Sequence, residues 1–310
     1  MADLPLTIHS AAQMRAIDAF AAEKLGIPTY ELMRRAGAGA FDHLRRLWPQ
    51  ARHVTVLCGA GNNGGDGYVV ARLARLDGLQ VQLISTADTS GLKGDAARAY
   101  GDFLAAGGTV VQPDIADLSA SDVIVDGIFG TGITRVITGE PAQLIQRANA
   151  SGVPVLALDI PSGLDADTGA VQGIAIHAQH TVSFAGLKLG FFVGQGPDHV
   201  GHLTVNDLGL PSHAFDQAGA LAHRIAETEI AALLPRRSRL SHKGDNGRVL
   251  IVGGGPGMGG AAALAGEAAL RAGAGLVTIA AHSSVAASIN SRRPELIVHA
   301  VEYEEDLHPL

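Results

Sequence analysis

H-V-T-V-L-C-G-A-G-N-N-G-G-D-G, from His53 to Gly67, reads as a buried strand that breaks into a glycine loop, followed by a helix, Tyr68 to Leu76. Val54, Val56 and Leu57 give the strand its apolar character. Gly59, Gly61, Gly64, Gly65 and Gly67 let the backbone come close to a ligand. Strand, glycine loop and helix together make an anion site, because a helix N-terminus offers free N–H groups and a positive dipole end. The loop also carries Asn62, Asn63 and Asp66, side chains that a loop built only to cradle phosphate does not need.

On the N-terminal side, Ser10 and Gln13 form a capping-box pair for a helix over 10–25, with Met14, Ile17, Phe20 and Leu25 on one face. A second helix is expected from about Thr29 to Trp48, with Leu32, Met33, Ala36, Ala40, Phe41, Leu44 and Leu47 inward. On the C-terminal side, strands are expected at 53–58, 80–85, 108–111, 122–126, 153–159 and 180–184, and helices at 67–77, 92–106 and 139–150. Apolar strands alternating with amphipathic helices predict an α/β fold, a doubly wound, Rossmann-like parallel sheet covered on both faces. Residues 191–209 read as a last strand pair, and 211–226 as a linker, from the turn composition of Pro211–Gly219. A second unit follows over 227–310: a strand at 248–252, the loop G-G-G-P-G-M-G-G, a helix Ala261–Ala272 and a strand Leu276–Ala280. At most about three strands fit there, which reads as a truncated α/β segment.

Composition narrows the class. The chain has 310 residues, 47% hydrophobic and 17% charged, as a packed globular protein does. A net charge of -7 argues against a nucleic-acid partner or an anionic membrane surface. One cysteine, Cys58, leaves no disulfide framework and no CxxC zinc site. No signal peptide is apparent at the N-terminus, and no apolar run approaches the ~20 residues that span a bilayer. A soluble cytoplasmic protein is expected. An exposed sheet edge in the second unit would favour homo-oligomers.

Ligands of such sheets bind beyond the carboxyl ends of the strands. Strand 53–58 delivers Asn62, Asn63 and Asp66 there. Strand 122–126 ends in V-D-G-I-F-G-T-G-I-T-R, with Asp126 at its tip, then Gly130, Thr131 and Gly132, and Arg135 nearby. Strand 153–159 ends in L-D-I-P-S-G-L-D, with Asp159 at its tip and Ser162 in the turn. Lys188 follows in A-G-L-K-L-G. Acids, amides, a hydroxyl and a lysine thus gather on one edge of the sheet.

Plainer readings exist for each. Gly59/Gly61/Gly64 and Gly255/Gly257/Gly260 match G-x-G-x-x-G, but the second strand ends Leu83-Ile84-Ser85, without the acid that a nicotinamide dehydrogenase uses to hold a ribose. Asp126 and Asp159 are each compatible with a turn-forming role. Lys188 alone reads as a solvated lysine, and Cys58 as a core thiol. His177/His180 and His199/His202 allow a metal, though no third ligand is evident and surface histidines are the simpler reading. Arg236, Arg237, Arg239 and Lys243 read as a solvated face.

G-A-G-N-N-G-G-D-G, V-D-G-I-F-G-T-G and D-I-P-S-G-L-D, with A-A-Q-M-R-A-I-D and A-G-L-K-L-G, closely resemble the NAD(P)H-hydrate epimerase family over roughly Ser10 to Asp207. The tail, from S-H-K-G-D-N-G-R-V-L-I-V-G-G through G-E-A-A-L-R-A-G-A-G-L-V-T, resembles the start of the ribokinase-like, ADP-dependent NAD(P)H-hydrate dehydratase. The resemblance implies an epimerase domain at 1–210, a linker at 211–226 and the N-terminal part of a dehydratase at 227–310. It implies the substrates NADHX and NADPHX, nicotinamide cofactors hydrated at C6. Asn62, Asn63, Gly64, Gly65, Asp66, Gly130, Thr131, Gly132, Ile133, Thr134, Arg135, Val136 and Asp159 would bind them. Potassium would sit at Asn63, Asp126 and Ser162, whose oxygens suit a hard cation. Asp159 would be the catalytic acid or base, supported by Lys188. Ala262 would touch the dehydratase substrate. ADP would serve that half, whose G-x-G-D region is not among these residues, so dehydration is expected of the full fusion only. The alternative is a non-catalytic ligand-binding or scaffold module of the same fold, which should lose the acid and the cation ligands.

Overall fold

The computed structural model describes residues 4–113, 116–234 and 236–307. Two compact units divide the chain, Met1–Ala226 and Glu227–Leu310.

The first unit opens with β1 (Thr7–His9), α1 (Ala11–Glu23) and α2 (Thr29–Leu47). The Ser10/Gln13 capping box forms as the spacing predicts, and Met14, Ile17 and Ala21 of α1 are buried. Next come β2 (His53–Cys58), α3 (Asn62–Leu76), β3 (Gln80–Ser85), α4 (Gly94–Ala105), β4 (Val110–Val111), β5 (Val123–Gly127), α5 (Gly139–Ala150), β6 (Val155–Leu158), β7 (His180–Phe184), β8 (Leu187–Lys188), α6 (Gly196–His199), β9 (His202–Asn206), α7 (Ser212–Ala218) and β10 (Ala222–His223). Among the described residues seven strands pair as one sheet, in the order β4-β3-β2-β5-β6-β7-β9. All its pairings are parallel. The chain winds outward from β2 to β4, then returns to β5 and winds the other way. The order therefore reverses between β2 and β5, which opens a crevice at their carboxyl ends. Val54, Val56 and Cys58 join the core that includes α2 and α3, while Leu57 joins the core that includes Leu144 and Ile145 of α5. Alternate residues of one strand thus serve two layers.

Several expectations are corrected. The helix after β2 starts at Asn62, not Tyr68, so Asn62 to Gly67 are helical and the loop is only Gly59–Gly61. Glycine disfavours helix, but close packing decides here. A Cβ on Gly64 would lie 2.0 Å from the Gly59 carbonyl oxygen, and one on Gly65 would lie 2.4 Å from Cε of Met33. The strand pair expected over 191–209 is α6 followed by the single strand β9; Pro197, in the first turn of α6, suits a helix start. The stretch 211–226 carries α7 and β10 rather than turns alone. Ala214 of α7 is fully buried, and β10 pairs with β1. β1 also pairs in parallel with β8, setting His9 beside Lys188. These short strands offer too few residues for a periodic signal.

The second unit contains α8 (Glu227–Leu233), β11 (Arg248–Val252), α9 (Gly259–Ala272), β12 (Leu276–His282), α10 (Ser283–Arg292) and β13 (Ile297–Val301). Its strands pair in parallel in the order β11-β12-β13. Ala262, Ala263, Val277, Ile279, Ala281, Val285, Ile289 and Leu296 form its core. No helix among the described residues is long and apolar enough to cross a membrane.

Candidate active site

At the crevice the loops after β2 and β5 meet backbone to backbone. Gly59 N–H donates to the Gly127 carbonyl at 3.2 Å. A Cβ on Gly59 would lie 2.0 Å from the Ile128 oxygen, so only glycine fits. Asn63, in the first turn of α3, ties in two further strand ends. Its Nδ2 donates to the carbonyls of Phe129 (2.9 Å) and Leu158 (3.1 Å).

Asp126 is fully buried and organises the loops after β5 and β6. Its carboxylate accepts from the Ser162 N–H (2.7 Å), the Ser162 hydroxyl (2.6 Å) and the Ile128 N–H (3.3 Å). The Ser162 oxygen in turn accepts from the Phe129 N–H at 2.8 Å. Burial pushes the Asp126 carboxyl up to about 6, against the pull of those hydrogen bonds.

Asn63 Oδ1 is buried and has no hydrogen-bond partner among the described residues. An unpaired buried acceptor costs about 1–3 kcal/mol. Its neighbours through these bonds are the Phe129 carbonyl, the Ser162 hydroxyl and the Asp126 carboxylate. An all-oxygen set with one unsatisfied member is the donor chemistry of a hard cation, so these residues fit one. No group of three or more His, Cys, Asp or Glu that could hold a metal ion occurs among the described residues.

Asp159 follows β6 with φ 63°, the left-handed region that Asp tolerates better than most side chains. Its N–H donates to the Val182 carbonyl at 2.8 Å, fixing it to β7. Lys188 Nζ donates to Asp159 Oδ1, to the Ser183 hydroxyl (2.7 Å) and to the Phe184 carbonyl (3.1 Å). The lysine expected in solvent is in fact 1% exposed, because β8 carries it inward and three acceptors satisfy its ammonium. Phe184 N–H adds a 3.3 Å bond to the same carboxylate oxygen.

A cleft of about 710 Å³ gathers these groups. Asn62, Asn63, Asp66, Gly130, Thr131, Gly132, Ile133, Thr134, Arg135, Asp159 and Lys188 line it. Gly64 and Gly65 are buried in α3 and serve packing; Asp126 and Ser162 are buried outside the lining. Val136, 61% exposed, is not in the lining either. Ala262 lies in the apolar core of the second unit. Asp66 lines the cleft almost without exposure. Burial, then the charges of Asp159 and Asp18, push its carboxyl well above the usual range. Asp18, Arg15 and Met14 bring α1 into the lining. No role was read for Asp18 from the sequence; its one signal was its place in the quoted A-A-Q-M-R-A-I-D.

The histidine pairs are not all on the surface: His199 is 6% exposed, stacked on His177 with ring centroids 4.1 Å apart. Its Nδ1 bonds the Ile176 carbonyl, which holds the ring inward. Cys58 is buried and unpaired with any other cysteine.

Residues 29–190 match the family described as YjeF-related protein N-terminus. The chain belongs to this family. Residues 249–309 match a second family, described as NAD(P)H-hydrate dehydratase. The chain is 45% identical over 296 residues to the bifunctional NAD(P)H-hydrate repair enzyme Nnr of Escherichia coli K12, covering 96% of this chain and 57% of that protein. It is 42% identical over 304 residues to the protein of that name in Coxiella burnetii, covering 98% of this chain and 62% of that one. The chain thus spans about three-fifths of the length of these relatives. The crystal structure of yeast ynu0 superposes with a TM-score of 0.60 at 22% identity, covering 72% of this chain and 97% of that one, a likeness of fold.

Proposed function

We propose that the first unit interconverts the R and S forms of hydrated NADH and NADPH at C6 of the nicotinamide ring. One observation carries this reading: the Asp159–Lys188 ion pair lines the same cleft as the N-terminus of α3 and the glycine turn Gly130–Gly132. A proton-handling carboxylate beside an anion site matches a substrate with a pyrophosphate and a carbinolamine carbon. The free N–H groups at the start of α3 and in the glycine turn receive the phosphates. Arg135, exposed at the cleft, adds positive charge. Asp159 takes or gives the hydroxyl proton, and the ammonium of Lys188 holds that carboxylate in place. C6 inverts either by opening to an aldehyde and reclosing or by losing and regaining water. No redox step is involved, so the missing acid after β3 is no obstacle.

Asn63, Asp126 and Ser162 would hold potassium, with the unpaired Asn63 oxygen as one ligand. The ion would supply fixed positive charge to the loops that frame the substrate. ADP-dependent dehydration of the S form is proposed only for a fusion that includes a complete dehydratase domain.

The test is R/S interconversion of NADHX followed on a chiral phase, with potassium and without. Acceleration over the uncatalysed rate, lost in Asp159→Ala, is the expected result. Tight binding of NADHX with no acceleration in either salt would make the unit a ligand-binding module instead.

A further inference from the structure

A second carboxyl group in the cleft has no structural task. Asp18 sits in mid-helix on α1, where aspartate is a poor helix former and too far along to serve the helix dipole. Among the described residues its side chain makes no hydrogen bond and no ion pair, even with Arg15 one turn away, while Met14, Arg15 and Asp18 all line the cleft. The helix is held firmly. Ser10 caps it, Ala11 N–H donates to Asp167 at 2.7 Å, and β1 before it is registered on Lys188. The segment that fixes α1 is therefore the one that pairs with the strand carrying Lys188.

The proposed chemistry needs a second proton-handling group. Take the ring-opening route. The hydroxyl proton leaves, C6 becomes an aldehyde carbon, the C6–N1 electron pair passes to the ring nitrogen, and that nitrogen takes a proton. After rotation about the C5–C6 bond the ring recloses with both transfers reversed. Asp159, with one oxygen occupied by Lys188 and the Phe184 N–H, is placed to accept. The donor must be a carboxyl with free oxygens whose pKa lies close enough to neutrality that it can give its proton up and take it back. Asp66 is pushed well above the usual range and would not give its proton up readily. Asp18, although open to water on one side, sits within the field of the cleft. Burial and the charge of Asp159 push it up to about 6, tempered by Lys188, where it can both give and take.

Resting on the epimerase reading, we infer that Asp18 is a second catalytic group, donating a proton to the ring nitrogen as Asp159 accepts the hydroxyl proton, and taking it back on reclosure. The charges that act on it are those of Asp159 and Lys188; the other titratable groups along the cleft or on elements packed against α1 are Arg15 of its own helix, Asp66, Asp95 and Arg135 of the cleft, His9 of β1, and His213 and Asp216 of α7.

The experiment measures kcat and KM for R/S interconversion of NADHX between pH 5 and 9 in the full chain, for the wild type, Asp18→Asn and Asp18→Glu. If the wild type gives no acceleration, the epimerase reading fails first and Asp18 goes with it. With an active wild type, a required protonated donor makes the rate fall as pH rises above about 6. Asp18→Asn should then lower kcat by ~10²–10⁴-fold with KM little changed. That variant should lose the alkaline limb, and Asp18→Glu should restore part of the rate with the limb displaced. Asp18→Asn within about threefold of wild type would overturn the inference, since a general acid contributes far more. So would a large loss with the alkaline limb unmoved. If Asp18→Asn does not fold, Asp18→Glu decides alone: a displaced limb supports the inference, and an unmoved limb overturns it.

Discussion

Asp159 is held by backbone and by charge at once. Its left-handed backbone aims the carboxylate at Lys188, and the lysine has no other acid partner among the described residues. Such pairs contribute little net stability when intact, yet removing one partner strands the other at a cost of about 3–5 kcal/mol. The two partners are not equivalent. Lys188 is 1% exposed and Asp159 18%, so a stranded ammonium has nowhere to go, whereas a stranded carboxylate meets cleft water. Asp159→Asn should therefore destabilise more than Lys188→Met, by about 2 kcal/mol or more in urea unfolding. The double variant should recover part of the loss. Equal losses in the two single variants would mean the pair is solvated. The sequence placed Asp159 at a strand tip but could not join it to a lysine 29 residues on, because only the β1–β8 pairing turns that lysine inward.

At the scale of elements, packing overrides local preference in α3 and around α2. The histidines of β7 and β9 illustrate the second case. His43 of α2 lies edge-on to His180 at 6.0 Å, and His180 in turn meets Trp48 at 5.5 Å and His202 at 5.1 Å. Burial, with help from Arg46 and His180, pushes the His43 ring down from 6.5 to about 4. Between those values the unfolded chain binds more protons than the folded one, so this contribution is full above pH 6.5 and is lost as pH falls toward 4. For a half-buried ring the effect is about 1–2 kcal/mol after solvent screening. His43→Phe should flatten the fall in Tm from pH 7 to pH 4 relative to wild type. Asp18 and Asp126, both raised, act with the opposite sign, so the difference between variant and wild type is the quantity to read. An unchanged slope would put His43 in free exchange with solvent. The βα alternation was legible because each strand carries its own apolar run and each helix its own stripe. Three features were not: the helical start of α3, where glycine chemistry reads as loop; α7, whose turn-like residues are shaped by α1; and β1, β8 and β10, which exist only as partners of one another.

For the molecule as a whole, the two units have separate apolar cores. The clusters of the first unit end at Ala222 and the cluster of the second begins at Ile251. Between them runs a solvated stretch in which Arg236, Arg237 and Arg239 are exposed and Leu240 is 93% exposed. Exposed backbone with few buried contacts opens locally at low cost, so protease should find this stretch before either core. Brief trypsin treatment should cut after these arginines and leave a resistant N-terminal fragment ending near them. That fragment holds every residue of the cleft and of the Asn63–Asp126–Ser162 set, so it should retain the interconversion rate and its own cooperative melting transition. Mass spectrometry of the cut, calorimetry of the fragment and the chiral-phase assay together check this. A fragment that folds but no longer turns over would mean that the second unit contributes to the epimerase site. Early cuts within α1 or α3 would mean that the cleft is less firmly packed than its buried glycines require.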